Sequence, residues 1–338
     1  MKICIVGWGT DVDCDMKRSC KDAGIEVEWL IVGPQNPYSC DYMGNDYDLA
    51  TTEKIDHVLA MNDIDCFIYK YPFWLGQYPQ LQAIIHTRPV VAWQTEHGPT
   101  LSYGIANSRD FRFVAITNRQ EIPAYQAAYP DKKIMYLPFG SVKWRDDELK
   151  WEGKYKSLFV ADGSAHYTCG CEGAWKRKSC EVMIQPVVSM GYAEKDLAVY
   201  GYLPNLDASH GWESSPWKSS HRGTYNCTEY PKVYTSAEIY LGITFNWSLG
   251  GYGVKLNRAL STGIPVIWHR TLGLEKEGFV EGEHYLTSSS AEETEDHINL
   301  LLNNFVFADK MGRCGRKFVD ENMQYSMLLT NLVNEVNR

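Results

Sequence analysis

Three glycines in four residues, Gly250, Gly251 and Gly253, stand between an apolar run ending at Phe245 and a helical stretch from Val254 to Thr262. Gly263 closes that stretch, and Pro265 leads into a second apolar run that ends at Trp268. Such a segment reads as strand, glycine turn, helix and buried strand, a crossover that carries the chain back through a sheet. Bare glycine backbone leaves free N–H groups at the positive end of the helix dipole, a place suited to a phosphate. A plain crossover uses the same residues, and spacing alone does not separate the two readings.

The same alternation runs along the rest of the chain. Strands are expected at Lys2–Val6, Glu26–Val32, Cys66–Tyr71, Pro89–Gln94, Arg112–Thr117 and Ile134–Leu137, with helices at Asp13–Ala23, Lys54–Met61, Leu81–His86 and Ile122–Tyr129 between them. The pattern weakens over residues 143–156, rich in charge and tryptophan, and resumes with strands at Ser157–Asp162, Leu197–Tyr200, Ile239–Phe245 and Ile264–Trp268. Helices are expected at Ser179–Met190 and Tyr230–Ala237, and a helical tail follows Glu292. Strands alternating with helices predict an α/β protein with two Rossmann-like βαβ domains, ligand lying in the cleft between them at the carboxyl ends of the strands. The expected division is 1–142 for the first domain, 143–156 for a linker, 157–315 for the second domain, and 316–338 for a terminal helix returning toward the first.

A net charge of −9 argues against a blanket electrostatic grip on nucleic acid or an anionic membrane. Lys132, Lys133, Lys143 and Arg145 form either a local basic groove or a solvated face. No apolar stretch reaches a membrane span, and Gly7 interrupts the N-terminal run too early for a secretory leader, so a cytoplasmic protein is expected. Ten scattered cysteines then read as reduced thiols. His166, Cys169, Cys171 and Cys180 invite a zinc reading, but their spacing is not a common finger pattern and an insertion loop is the simpler account. Asp11-Val12-Asp13 reads as the cap of the first helix rather than a metal motif. Trp212 and Trp217 lie in a polar loop, either to stack on a sugar or base or to anchor the loop.

The segment from Leu249 to Ile267 resembles the donor-binding core of retaining group 1 glycosyltransferases of the GT-B fold, and more closely the CgeB-like group. Phe159-Val-Ala-Asp-Gly163, the basic run Lys176-Arg177-Lys178, Tyr225 to Phe245, and Arg270 to Leu286 (a loop and hairpin in relatives) support it. The resemblance implies GT-B architecture with an acceptor-side first domain, a nucleotide-sugar-binding second domain, and sugar transfer from a nucleotide-diphosphate sugar without metal or cofactor, with retention. It implies that Gly250, Gly251, Tyr252 and Gly253 hold the donor diphosphate, with Lys255 on the same helix, and that Arg177 and Lys178 neutralise it. Gly9 and Thr10 would form a flexible loop near the phosphates and acceptor. His97 or Glu96, after the fourth strand, would face the reacting sugar; Glu121 and Asp162 are weaker candidates of that kind. Relatives keep two acidic residues, the second touching the nucleotide ribose, where this chain has Gly250 and Arg258. Arg258 then either contacts the diphosphate or faces solvent. Gly273, Leu274 and Glu275 form the following loop, where Glu275 either replaces the missing ribose contact or simply sits at a helix N-terminus. The acceptor would be a modified DNA base, a protein or a glycan. Loss of both acids leaves a second reading, a catalytically silent nucleotide- or sugar-binding scaffold, and an epimerase of the same fold is a third.

Overall fold

The computed structural model describes residues 1–7, 11–32, 49–95, 101–160, 179–192, 195–200, 218–220, 222–223, 229–242 and 253–338. They fall in two compact units, Met1–Val142 with Met323–Arg338, and Lys143–Asn246 with Tyr252–Asn322.

The first unit is built on β1 (Lys2–Gly7), β2 (Glu26–Ile31), β3 (Cys66–Lys70), β4 (Val90–Gln94), β5 (Phe113–Ile116) and β6 (Lys133–Tyr136), in the order β2-β1-β3-β4-β5-β6. Every pair is parallel. Its helices are α1 (Asp11–Asp22), α2 (Thr52–Ala60), α3 (Pro79–Ala83), α4 (Leu101–Asn107) and α5 (Ile122–Ala128). β3 and β4 are buried at every residue, which is why they read as continuous apolar runs rather than alternating ones. The buried Trp93 indole donates to the Leu137 carbonyl, and the buried Gln94 amide nitrogen donates to Ser108 Oγ. α4 was not expected, because its sequence LSYGIAN carries a glycine and no apolar repeat. Tertiary contacts form it: Tyr129 Oη donates to the Ile105 carbonyl, and Ser108 Oγ to that of Gly104.

The second unit carries β7 (Tyr155–Val160), β8 (Leu197–Tyr200), β9 (Ala237–Gly242), β10 (Val266–His269) and β11 (Leu286–Ser288), ordered β11-β10-β9-β7-β8 and again parallel throughout. Its helices are α6 (Gln185–Ser189), α7 (Tyr230–Tyr234), α8 (Val254–Ser261), α9 (Ala291–Asn303) and α10 (Phe305–Asn322). The helix expected over Ser179–Met190 is interrupted at Ile184, two residues before Pro186, whose ring disfavours helical backbone just ahead of it. The expected hairpin near Leu286 is a tight reversal, with Glu281 bridged to Tyr285, that delivers β11 as a parallel edge strand. Residues 143–154 belong to the second unit. Trp144 is 4% exposed, its indole donates to Tyr230 Oη at 2.9 Å, and Arg316 donates to its carbonyl at 2.6 Å. Residue 316 lies within α10.

The last helix, α11 (Tyr325–Val336), is part of the first unit and packs on α1, where the Ser326 amide donates to Ser19 Oγ at 3.0 Å. Among the described cysteines, Cys4, Cys20, Cys66, Cys180 and Cys314 are free thiols, whereas Cys14 is disulfide-bonded, contrary to the expectation of reduced thiols throughout. Burial pushes Cys20 and Cys66 up to about 12, which keeps both protonated and unreactive at neutral pH. Among the described residues no helix is long and apolar enough to cross a membrane.

Burial on α10 raises the Asp320 carboxyl to about 6 from an ordinary 3.8, against the opposing pull of Arg316 and Lys143. Between those two values the folded protein binds more protons than the unfolded chain, so this group lowers stability as pH rises through the window. Asp320→Asn is expected to flatten that fall in a series of melting temperatures from pH 4 to pH 7; an unchanged slope would contradict it.

Candidate active site

In each unit the strand order reverses beside the first strand, between β1 and β3 in one and between β7 and β9 in the other. Ligands of open α/β sheets bind outside the carboxyl ends of the strands at such reversals. In the second unit that edge is bounded by the elements that follow β7, β9 and β10.

After β9, α8 begins at Gly253, an extended N-cap with nothing among the described residues within 4 Å of where a Cβ would stand. A glycine N-cap offers no side chain to the first N–H groups of this helix, an arrangement suited to an anion. Lys255 lies in the first turn and is half-buried. Arg258 lies in the last turn and does not face solvent: it is 1% exposed, with its guanidinium 5.1 Å from the centre of the Tyr230 ring. Trp144 meets Tyr230 edge-on at 5.0 Å, and Tyr234 does so at 5.8 Å, so the cation sits against a buried aromatic cluster.

After β10, Gly273 adopts φ 91° and caps a 3-10 turn over Leu274–Glu277. A side chain at Gly273 would be strained in that conformation. Leu274 is buried under the turn, while Glu275 is exposed in its first turn. That is the helix-terminus placement for Glu275; the structure shows no other role for it.

One pair at this edge has no signature in the sequence. Ser179, fully buried, and His269, the last residue of β10, meet at 2.8 Å through Oγ and Nδ1. The bond holds Ser179, the residue after Lys178 in sequence, at the carboxyl end of β10. The two residues lie 90 apart in sequence, and neither residue type is distinctive alone.

Gly9, Thr10, Glu96, His97, Arg177, Lys178, Gly250, Gly251 and Tyr252 lie outside the described residues, as do Asp162, His166, Cys169, Cys171, Trp212 and Trp217. Cys180 is a buried free thiol. Glu121 is buried where α5 begins. Three of the four basic residues considered for a groove are engaged within their own units: Lys132 donates to the Ser108 carbonyl, Lys133 pairs with Glu335, and Arg145 pairs with Asp147; Lys143 is exposed. Asp13 is not a cap; it is buried in an ion pair with Lys70.

Comparison with known proteins agrees with this geometry. Residues 177–334 match the family model described as glycosyl transferase-like. Comparison with curated proteins gives no match. Similar solved structures include a sucrose-phosphate synthase from Thermosynechococcus elongatus, at 14% identity and TM-score 0.65, covering 100% of this chain and 98% of that one. HepE from Anabaena, solved with UDP-glucose, aligns at 11% identity and TM-score 0.63 over 100% of this chain and 99% of its own. TarM from S. aureus, solved with UDP among other ligands, aligns at 14% identity and TM-score 0.59 over 84% of this chain and 58% of its own. The fold is GT-B, two Rossmann-like parallel sheets. Residues 177–334 resemble the glycosyl transferase-like family, in line with the group 1 enzymes.

Proposed function

We propose that this protein transfers a sugar from a uridine-diphosphate sugar to an acceptor hydroxyl, with retention and without a metal ion. The observation that carries this reading is the glycine N-cap of α8 at Gly253, which follows Gly250-Gly251 in sequence. Helix N–H groups and dipole there would hold the diphosphate. Arg177 and Lys178, which precede Ser179 in sequence, would neutralise the charge that grows on the leaving diphosphate. Fixed basic groups and the helix dipole supply charge stabilisation that a divalent cation otherwise gives. The uridine nucleotide is suggested by HepE, whose structure holds UDP-glucose. His97 or Glu96 would orient the reacting sugar or accept the acceptor's proton. A modified DNA base, a protein and a glycan remain the acceptor classes, and the net charge of −9 favours the latter two over a duplex.

The first test is thermal stabilisation by a panel of UDP-, GDP-, ADP- and TDP-sugars. A ligand at about 100 times its dissociation constant adds about 2.7 kcal/mol. UDP-sugars are expected to stabilise most; stabilisation by another nucleotide would overturn the uridine assignment. Arg177→Ala is expected to lower kcat/KM for the donor at least tenfold, equivalent to about 1.4 kcal/mol. His97→Ala should reduce kcat with the melting temperature intact. Wild-type kinetics in either variant would remove that residue from the site. Retained activity in EDTA and an unchanged anomeric configuration of the product would test the remaining two features.

A further inference from the structure

The strand reversal of the first unit holds a cluster separate from the start of α8. Lys70 ends β3, where its side chain is 6% exposed, and its ammonium meets the Asp13 carboxylate of α1 at 2.5 Å; Asp13 is 1% exposed. The next residue, Tyr71, has φ 46° and is the only non-glycine with positive φ among the described residues. The neighbouring strand β1 ends at Gly7, where a Cβ would stand 2.9 Å from both the Lys70 Cβ and the Lys70 carbonyl oxygen. Strained backbone, a close backbone approach and a buried ion pair therefore coincide at the carboxyl ends of the two strands flanking the reversal.

None of the three is explained by stability. A buried ion pair is commonly matched or bettered in stability by apolar residues of similar volume. A non-glycine residue in the left-handed region is costly and persists where surrounding structure imposes it. Both occur at the one edge of this sheet where α/β proteins place ligands. Partners packed here hold the backbone in shape: the Trp74 indole donates to the Lys70 carbonyl at 3.2 Å, and the Tyr71 amide donates to the Trp93 carbonyl at 2.7 Å.

We infer that Lys70 and Asp13 are positioning residues for sugar transfer, an ion pair that clamps β3 to α1 and holds the Gly7 and Tyr71 backbone in the shape the reacting groups require. The inference rests on the transferase reading above. It assigns this pair to the rate of the chemical step and not to donor affinity, since the glycine N-cap of α8 belongs to the second unit.

The test uses the full chain with the UDP-sugar that stabilises it most, reading melting temperature, donor KM and kcat for donor hydrolysis by UDP release. Lys70→Met alone and Asp13→Leu alone should each lower the melting temperature, because each removes one side of a buried ion pair and leaves the opposite charge in place. The double variant should recover the melting temperature to near the wild-type value and keep donor KM within about twofold, while kcat stays at least tenfold down; that tenfold corresponds to about 1.4 kcal/mol. Recovery of both melting temperature and kcat in the double variant would make the pair merely structural and overturn the inference. Should the double variant fail to fold, Lys70→Arg, which keeps the charge but not its geometry, provides the second arm: a folded protein with wild-type kcat would overturn the inference, and lowered kcat at unchanged KM would support it. A wild-type protein that binds and hydrolyses no nucleotide sugar would instead overturn the transferase reading.

Discussion

Gly242→Val is expected to cost the protein about 3 kcal/mol and to abolish donor binding with it. Gly242 ends β9 in register with Trp268 of β10. A Cβ there would lie 2.0 Å from Trp268 Cε3, 2.3 Å from its Cζ3 and 2.9 Å from Tyr240 Cε1. Trp268 is fully buried, with its ring tilted against Tyr240 and Tyr240 against Tyr234, so the indole has no free space to enter. The strand precedes the glycine cluster and α8 in sequence, so an error here is expected to reach the turn proposed to hold the phosphates. Loss of near-ultraviolet circular dichroism and a lowered melting temperature are the expected readouts; a wild-type melt would show that the aromatic stack is looser than the structure has it.

Arg258→Glu, which restores an acid where relatives have one, is expected to destabilise by roughly 3–5 kcal/mol instead of improving function. The position is fully enclosed, and the face of Tyr230 carries the negative side of its ring quadrupole toward the charge. That face attracts a guanidinium and repels a carboxylate, and burial penalises either ion that lacks compensation. Arg258→Met, which keeps a flexible apolar stem, should lose less than the glutamate variant in urea unfolding. A glutamate variant as stable as wild type with tighter donor binding would show that the position still works as it does in relatives.

The elements most legible in the sequence were those whose local chemistry and tertiary role agree. β3 and β4 read as buried strands because both their faces are covered, and α8 read correctly from Gly253 to its close because glycine, helix formers and glycine follow in order. Pairs made by distant residues were not legible. Ser179 and His269 are common residue types until the sheet brings them together, and Lys70 is one lysine among many until β3 is seen to be buried to its last residue. Arg258 invited a choice between diphosphate contact and solvent; the burial that removes the solvent reading comes with an aromatic cluster that draws on Trp144, which itself read as part of a linker. Charge-rich flanks hid that single anchoring indole.

The central claim is that the turn entering α8 holds the donor diphosphate. Hydrogen–deuterium exchange on the full chain, with and without the UDP-sugar that stabilises it most, tests it most directly. Peptides spanning residues 250–258 should show slowed amide exchange on donor addition, because ligand oxygens occupy the free N–H groups at the helix start. Binding of the donor with unchanged exchange across 250–258 would contradict the account.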